Sequence, residues 1–238
     1  MLKRTGKKFM CVVMAFGMLS ILPVSTSEAK DVTKVSNSYM IEESDGTVEV
    51  KDMTREEYIK SLAEEEKISY EEADQLEKKQ TSQYLKEQAV QLRKENLQIE
   101  QRGTIVYKQV NKVFNVATGK FKSKIQVTIH VKLNRFILPS QGTHQKFVQV
   151  LDKGVLPSGS GKATFQKGAF STSIRNESSM GNELYMMLSG NIEHVVSYSY
   201  TTSASAAGFS VGAGTGGNYY CRKFVTKNYS FSSNWDLS

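Results

Sequence analysis

The residues best equipped to do chemistry are few and far apart. The three histidines are His130, His144 and His194, and none stands at metal-ligand spacing from another His or from a Cys. No metal site is expected. The two cysteines are Cys11 and Cys221. Cys221, within NYYCRKF, reads as a structural strand residue. Its sharper alternatives are an intermolecular disulfide, or a thiolate served by His194 if the fold brings them together. No third, orienting residue stands near either one. SGSGKAT (158–164) is spaced like a phosphate loop but fails as one. Leu156 occupies the first glycine position, and Ala163 the position of the magnesium-binding hydroxyl. The carboxylates beyond residue 103 are Asp152, Glu177, Glu183, Glu193 and Asp236, and no two are spaced as an acid–base pair. The sequence therefore points away from an enzyme: no catalytic residue and no cofactor is expected. A secreted enzyme assembled from scattered residues is the remotest alternative.

The N-terminus carries an address. Lys3, Arg4, Lys7 and Lys8 precede a 16-residue apolar stretch, Phe9–Val24, and Ser27-Glu28-Ala29 offers small residues at the two positions a signal peptidase reads. The stretch is shorter than the roughly 20 residues of a spanning helix. Residues 1–29 are expected to be a signal peptide cleaved after about Ala29, giving a secreted, extracellular product. Cys221 is then the only cysteine left, and an internal disulfide is excluded.

Charge divides the remainder. Residues 30–102 hold 12 basic and 18 acidic side chains, a net of −6; residues 103–238 hold 15 and 5, a net of +10. Such a split suggests two structural units and bears on partners. Residues 30–52 read as a polar linker with a short hairpin turning at Asp45-Gly46. Residues 53–102 read as helical. Thr54–Glu57 and Ser69–Glu72 are capping boxes, in which the hydroxyl accepts a first-turn N–H and the Glu reaches back. Tyr58, Ile59, Leu62 and Ala63 form one apolar stripe, and Ala73 and Leu76 begin another that lapses between Glu77 and Gln83. The second segment is either one helix to about Gln101 or two, broken near Thr81-Ser82. KSLAEEEKISYEEADQLEKK has the spacing of a helix-turn-helix. Its second helix would lead with Glu71, Glu72 and Asp74, which phosphates repel, so no nucleic-acid partner is expected. The acidic half is expected either to fold against the basic half and screen it, or to serve as a helical spacer or partner-binding arm.

Residues 103–238 read as a basic all-β domain. In FKSKIQVTIHVKL, Phe121, Ile125, Val127, Ile129, Val131 and Leu133 share one face with Ser123. Lys122, Lys124, Gln126, Thr128, His130 and Lys132 share the other, the pattern of a strand buried on one side only, with His130 exposed. TIVYKQVNKVFNV is its expected partner, and KFVQVL, KATFQKGAFSTSI, ELYMMLS, IEHVVSYSYTTSASA, GFSVGAG and CRKFVTKNYSFSS follow. The expected fold class is α+β: an N-terminal acidic helical hairpin followed by an antiparallel β-sandwich or small β-barrel.

Two surface features remain. Ser197–Gly217 runs for 21 residues without a charge or a proline, and Val195–Gly214 alternates as a β-hairpin with one apolar and one hydroxyl-lined face. A structural strand pair is the first reading. A membrane-active, pore-forming hairpin using Tyr198, Tyr200, Phe209 and Val211 is the alternative. The second feature is a candidate anion-binding surface of Lys108, Lys112, Lys120, Lys122, Lys124, Lys132, Arg222, Lys223 and Lys227. The function these observations favour is a secreted, non-enzymatic binding or structural module. Its partners would be anionic envelope polymers or lipid headgroups.

Overall fold

A computed structural model describes residues 38–235, apart from 44, 96–100, 119–120, 140, 159–162 and 179. The expected signal peptide and Lys120 lie outside the described residues. The described residues are mostly antiparallel β with three α-helices, a β-rich α+β fold, and residues 36–238 form one compact unit.

Five strands make the first sheet: β1 (Ser38–Glu43), β2 (Gly46–Met53), β3 (Gln101–Thr118), β4 (Phe121–Leu138) and β5 (Gly142–Ser158), neighbours in that order. Asp45-Gly46 turns the chain from β1 into β2. Gly46 has φ +147°, and a Cβ there would sit 1.7 Å from the Val113 carbonyl oxygen, so only glycine lets β2 approach β3. Within the stretch expected as a linker with a short hairpin, Ser38–Glu43 and Gly46–Met53 are two strands of this sheet, and residues 30–37 lie outside the described residues. β2 is an interior strand, paired with β3 from Gly46↔Phe114 to Met53↔Tyr107, because Val48 and Val50 belong to the core. The sheet is built across the composition change at Gly103, and the charge split does not mark a division of the fold.

Two helices interrupt this sheet between β2 and β3. α1 (Arg55–Glu66) and α2 (Tyr70–Lys94) both begin with complete capping boxes, on Thr54/Glu57 and Ser69/Glu72. Lys67, at φ +57°, ends α1 in the left-handed conformation. α2 is one helix through Thr81-Ser82 and ends at Lys94. Tyr58, Ile59 and Leu62 of α1 and Ala73 of α2 are buried with Tyr107 of β3 and Leu151 of β5. Leu92 near the end of α2 packs on Phe136 and Leu138. The polar face of β4 is thus only partly open to water. From His130 onward the helices cover it, and Lys132 and Asn134 are buried. His130 is half-buried, with Nδ1 2.8 Å from the Ser61 hydroxyl, and not exposed as its place on a polar strand face implied.

The second sheet has the order β6 (Ala163–Arg175), β7 (Glu183–Ser197), β9 (Asn218–Ser232), β8 (Ser210–Ala213). Its inward residues Leu184, Met186, Leu188, Ile192 and Phe231 join Ile125, Val127, Ile129, Val131 and Leu133 of β4 in one buried cluster. Each such side chain stabilises the fold by roughly 1.5–3 kcal/mol.

Val195–Gly214 departs most from expectation. β7 stops at Ser197, Tyr198–Tyr200 form a 3₁₀ turn, and α3 (Thr201–Ala206) follows before the short β8. The alternation continues into small residues, and Ala204 and Ala206 offer too little apolar area to hold a strand on a core. Folded back through α3 and β8, the segment buries Ala204 and Phe209, with Val211 half-buried beside them, against Phe121 and Cys221. The Thr201 hydroxyl donates to the Tyr198 carbonyl at 2.7 Å, and Gly208 (φ +77°) turns the chain out of α3.

The clearance at Gly46 gives a stability prediction. Gly46→Ala is expected to destabilise the fold by roughly 2–4 kcal/mol, through backbone strain plus the clash with Val113. Denaturant unfolding would show this as a lower midpoint with an unchanged slope.

Candidate functional site

The nine cations expected to form an anion-binding surface do not share one surface. Lys108 is paired with Asp52, and Lys112 Nζ lies 2.9 Å from Asp45 Oδ1. The Lys112 ammonium is fully buried, 4.1 Å from the Tyr229 ring centroid and 5.3 Å from that of Phe114. Lys132 is also fully buried, 3.7 Å from Glu77 Oε1. Arg222 is paired with Glu193, and Lys223 Nζ donates to the Ala207 carbonyl at 3.1 Å. Lys227 is half-buried on the inward side of β9. Lys122 and Lys124 are exposed at the start of β4, and among the described residues no carboxylate pairs with either. Lys108, Lys112 and Lys132 therefore leave the expected surface. The first two alternate with Val110 and Phe114 on the inward face of β3, and the third lies under the helices.

The carboxylates that neutralise these three lysines all come from the acidic part of the chain. Asp45 sits in the β1–β2 turn, Asp52 is on β2 and Glu77 is on α2. Glu77 is the centre of a buried polar network. Its carboxylate accepts from Arg55 Nη2 (2.9 Å), the Thr81 hydroxyl (2.6 Å) and the Tyr107 phenol (2.9 Å). Burial alone would raise its pKa. The bonds from Thr81, Arg55 and Tyr107, with the Lys132 charge, outweigh that and hold it below the ordinary Glu value. Burial lowers the pKa of Lys132, and Glu77 only partly offsets the effect. The lapse in the apolar stripe of α2 has its cause here, since the helix meets the sheet through Glu77, Thr81 and Gln88 as well as Ala73 and Leu92. The sign in the sequence was Glu77 itself, one turn after Ala73 on the inward stripe.

A second polar contact lies at the far end of β4. Ser123 Oγ and His194 Nε2 share a hydrogen bond of 2.9 Å, between the rings of Phe121 and Phe209, whose centroids lie 5.4 and 5.6 Å from that of His194. His194 stands directly opposite Cys221 in the β7–β9 ladder. The approach of His194 to Cys221 that the sequence left open thus exists in the register. Cys221 is fully buried, however, and burial raises its pKa, the wrong direction for a thiolate nucleophile. Burial lowers the His194 pKa, because the charged imidazolium is the form that loses solvation. Ser123, a lone hydroxyl on the apolar face of β4, was the sequence signal for this contact. Its structural role is to satisfy a half-buried histidine. Among the described residues no group of three or more His, Cys, Asp or Glu side chains gathers as a metal site.

The four residues of the membrane-hairpin reading part company. Tyr198 and Tyr200 point to solvent, 74% and 50% exposed, whereas Phe209 is buried and Val211 packs beside it. No helix among the described residues is long and apolar enough to cross a membrane.

Glu77→Gln would leave Lys132 buried without its counter-charge, and is expected to cost about 3 kcal/mol at pH 7. The contribution is pH-dependent. Because the folded pKa lies below the ordinary 4.5, the stabilisation is complete above about pH 5 and is lost as pH falls through the folded value. Urea titrations of the wild type and Glu77→Gln should therefore differ most near neutrality and converge in acid.

Comparison of the chain with family models, with curated proteins and with solved structures gives no match.

Proposed function

We propose that this chain is an exported, non-enzymatic binding or structural module whose basic β-rich part engages anionic material of the cell envelope or another surface. In this reading the two sheets form a sandwich, and an acidic helical hairpin covers part of the first sheet. The observation that carries the reading is local. After the ion pairs with Asp45, Asp52, Glu77 and Glu193 are made, Lys122 and Lys124 remain as adjacent exposed ammonium groups on the outward face of β4. Export rests on the sequence of residues 1–29, and the absence of nucleic-acid partners on the acidic leading faces of α1 and α2.

Pore formation through Val195–Gly214 is the second reading, favoured by the exposed Tyr198 and Tyr200. It requires the 3₁₀ turn and α3 to refold into strands.

The test is retention of residues 30–238 on envelope fractions at increasing ionic strength. Attraction through surface lysines is expected to fade as the screening length shrinks from ~30 Å at about 0.01 M salt to ~3 Å at about 1 M. Lys122→Gln/Lys124→Gln should weaken low-salt retention roughly thirtyfold, at ~1 kcal/mol per lysine. Retention indifferent to both salt and these substitutions would reject the proposal.

A further inference from the structure

β9 runs for 15 residues, Asn218–Ser232, and pairs with β7 along that whole length without a register shift. On its other side β8 is only four residues long, and their pairing ends at Ser210↔Arg222. Among the described residues no strand pairs with that side of β9 beyond Arg222. Alternation along the strand fixes which main-chain groups lie there. The Asn218 carbonyl accepts from the Gly214 N–H at 2.9 Å, so the N–H and C=O of even-numbered residues turn toward the β8 side and those of odd-numbered residues toward β7. Phe224, Thr226, Asn228 and Ser230 therefore present main-chain donors and acceptors to the open side.

Proteins blunt their sheet edges with shortness, charge, proline or a bulge. β8 is short, β1 is six residues ending in Glu42-Glu43, β6 is bulged between Lys167 and Ala169, and β5 meets β4 through two register shifts. Beyond Arg222, β9 has neither proline nor bulge. The side chains on its outward face, Phe224, Thr226, Asn228 and Ser230, are exposed and uncharged, with Phe224 63% exposed.

A row of open main-chain groups selects an extended backbone as its partner. In the exported chain proposed above, residues 30–37 precede β1. A connection from β1 takes up part of them, and what is left is too short to line Phe224–Ser232. A second β9 has the length. We propose that two copies of this chain pair antiparallel through β9 about a two-fold axis, joining their second sheets into one.

The residues of β9 choose the register. A pairing centred on Lys227 would set that lysine against its own copy, which like charges disfavour. One centred on Thr226 would bring the partner's Ser230 onto Arg222, where β8 already sits. Centred on Asn228, the pairing sets Asn228 against the partner's Asn228, Thr226 against the partner's Ser230 and Lys227 against the partner's Tyr229. Val225 then meets the partner's Phe231, and β9 ends at Ser232 before the partner strand reaches Arg222. This interface does not depend on what Lys122 and Lys124 bind.

The experiment is sedimentation velocity of residues 30–238 across a concentration series. A reversible monomer–dimer equilibrium is expected. Asn228→Lys puts two ammonium groups across the axis and should weaken the dimer roughly fivefold. Asn228→Asp should do the same, and an equimolar mixture of the two variants should recover it. Asn228→Cys should form a disulfide between copies on oxidation, because directly opposed hydrogen-bonded residues stand ~5.5 Å apart at Cα, within disulfide reach. The native Cys221 is buried and stays out of that reaction. The Asn228 side chain is exposed, so circular dichroism should show an unchanged fold in all three variants. A monomer at every attainable concentration would overturn the proposal and leave the edge to residues 30–37 or to a strand of another protein. A dimer indifferent to charge at position 228 and yielding no cross-link through Asn228→Cys would overturn β9 as its interface.

Discussion

A lysine taken wholly out of water needs a carboxylate, and that requirement at Lys132 organises the outer layer of this fold. Lys132 sits on the face of β4 turned away from the main core, where a short apolar patch would have been the simpler choice. Glu77 answers it from α2, and Arg55 of α1 and Tyr107 of β3 close on the same carboxylate. One side chain thus ties both helices to the sheet. The helices could in principle slide on the apolar contacts of Tyr58, Ile59 and Leu62, since such contacts are non-directional. The polar centre fixes their register, because any displacement strands a buried charge.

The same principle recurs along β3. Lys108 and Lys112 alternate with core residues and are met by Asp52 and Asp45 from β2 and its turn. Three lysines of the basic remainder are thus met by carboxylates of the acidic first part, and a net charge summed over a segment says little about the field outside it. What survives at the surface is decided residue by residue, which is why Lys122 and Lys124 matter more than the total.

The strands were legible because a half-buried antiparallel sheet imposes a period of two, and the alternation from Phe121 to Leu133 shows it, interrupted on its apolar face only by Ser123. The helix starts were equally legible, since Thr54/Glu57 and Ser69/Glu72 write their hydrogen bonds into adjacent residues. Long-range facts were not. Nothing local announces that β2 inserts beside β3, or that the polar face of β4 passes under α2. Periodicity reports which face is buried against apolar groups and misses burial against polar ones. The Tyr198–Ala206 segment misled for a related reason. Residues as small as Ser, Thr and Ala fit a strand or a helix almost equally well, and the choice fell to what needed covering at the end of the core. Of the candidate surface, the exposed pair on β4 was readable and the buried members were not, because their partners lie dozens of residues away.

Cys221 gives a chemical meaning to the cap that α3 and β8 form over the ends of β4 and β9. In the exported chain proposed above, a surface thiol would be open to cross-linking with any neighbour that carries one. Here the sulfur lies beneath Ala204, Phe209 and Phe121, where neither oxidant nor a second thiol reaches it. The cap is therefore also a seal. A molecule whose end has come undone differs from its intact siblings in redox reactivity as well as shape, and mixed disulfides in a stored sample would mark the opened fraction.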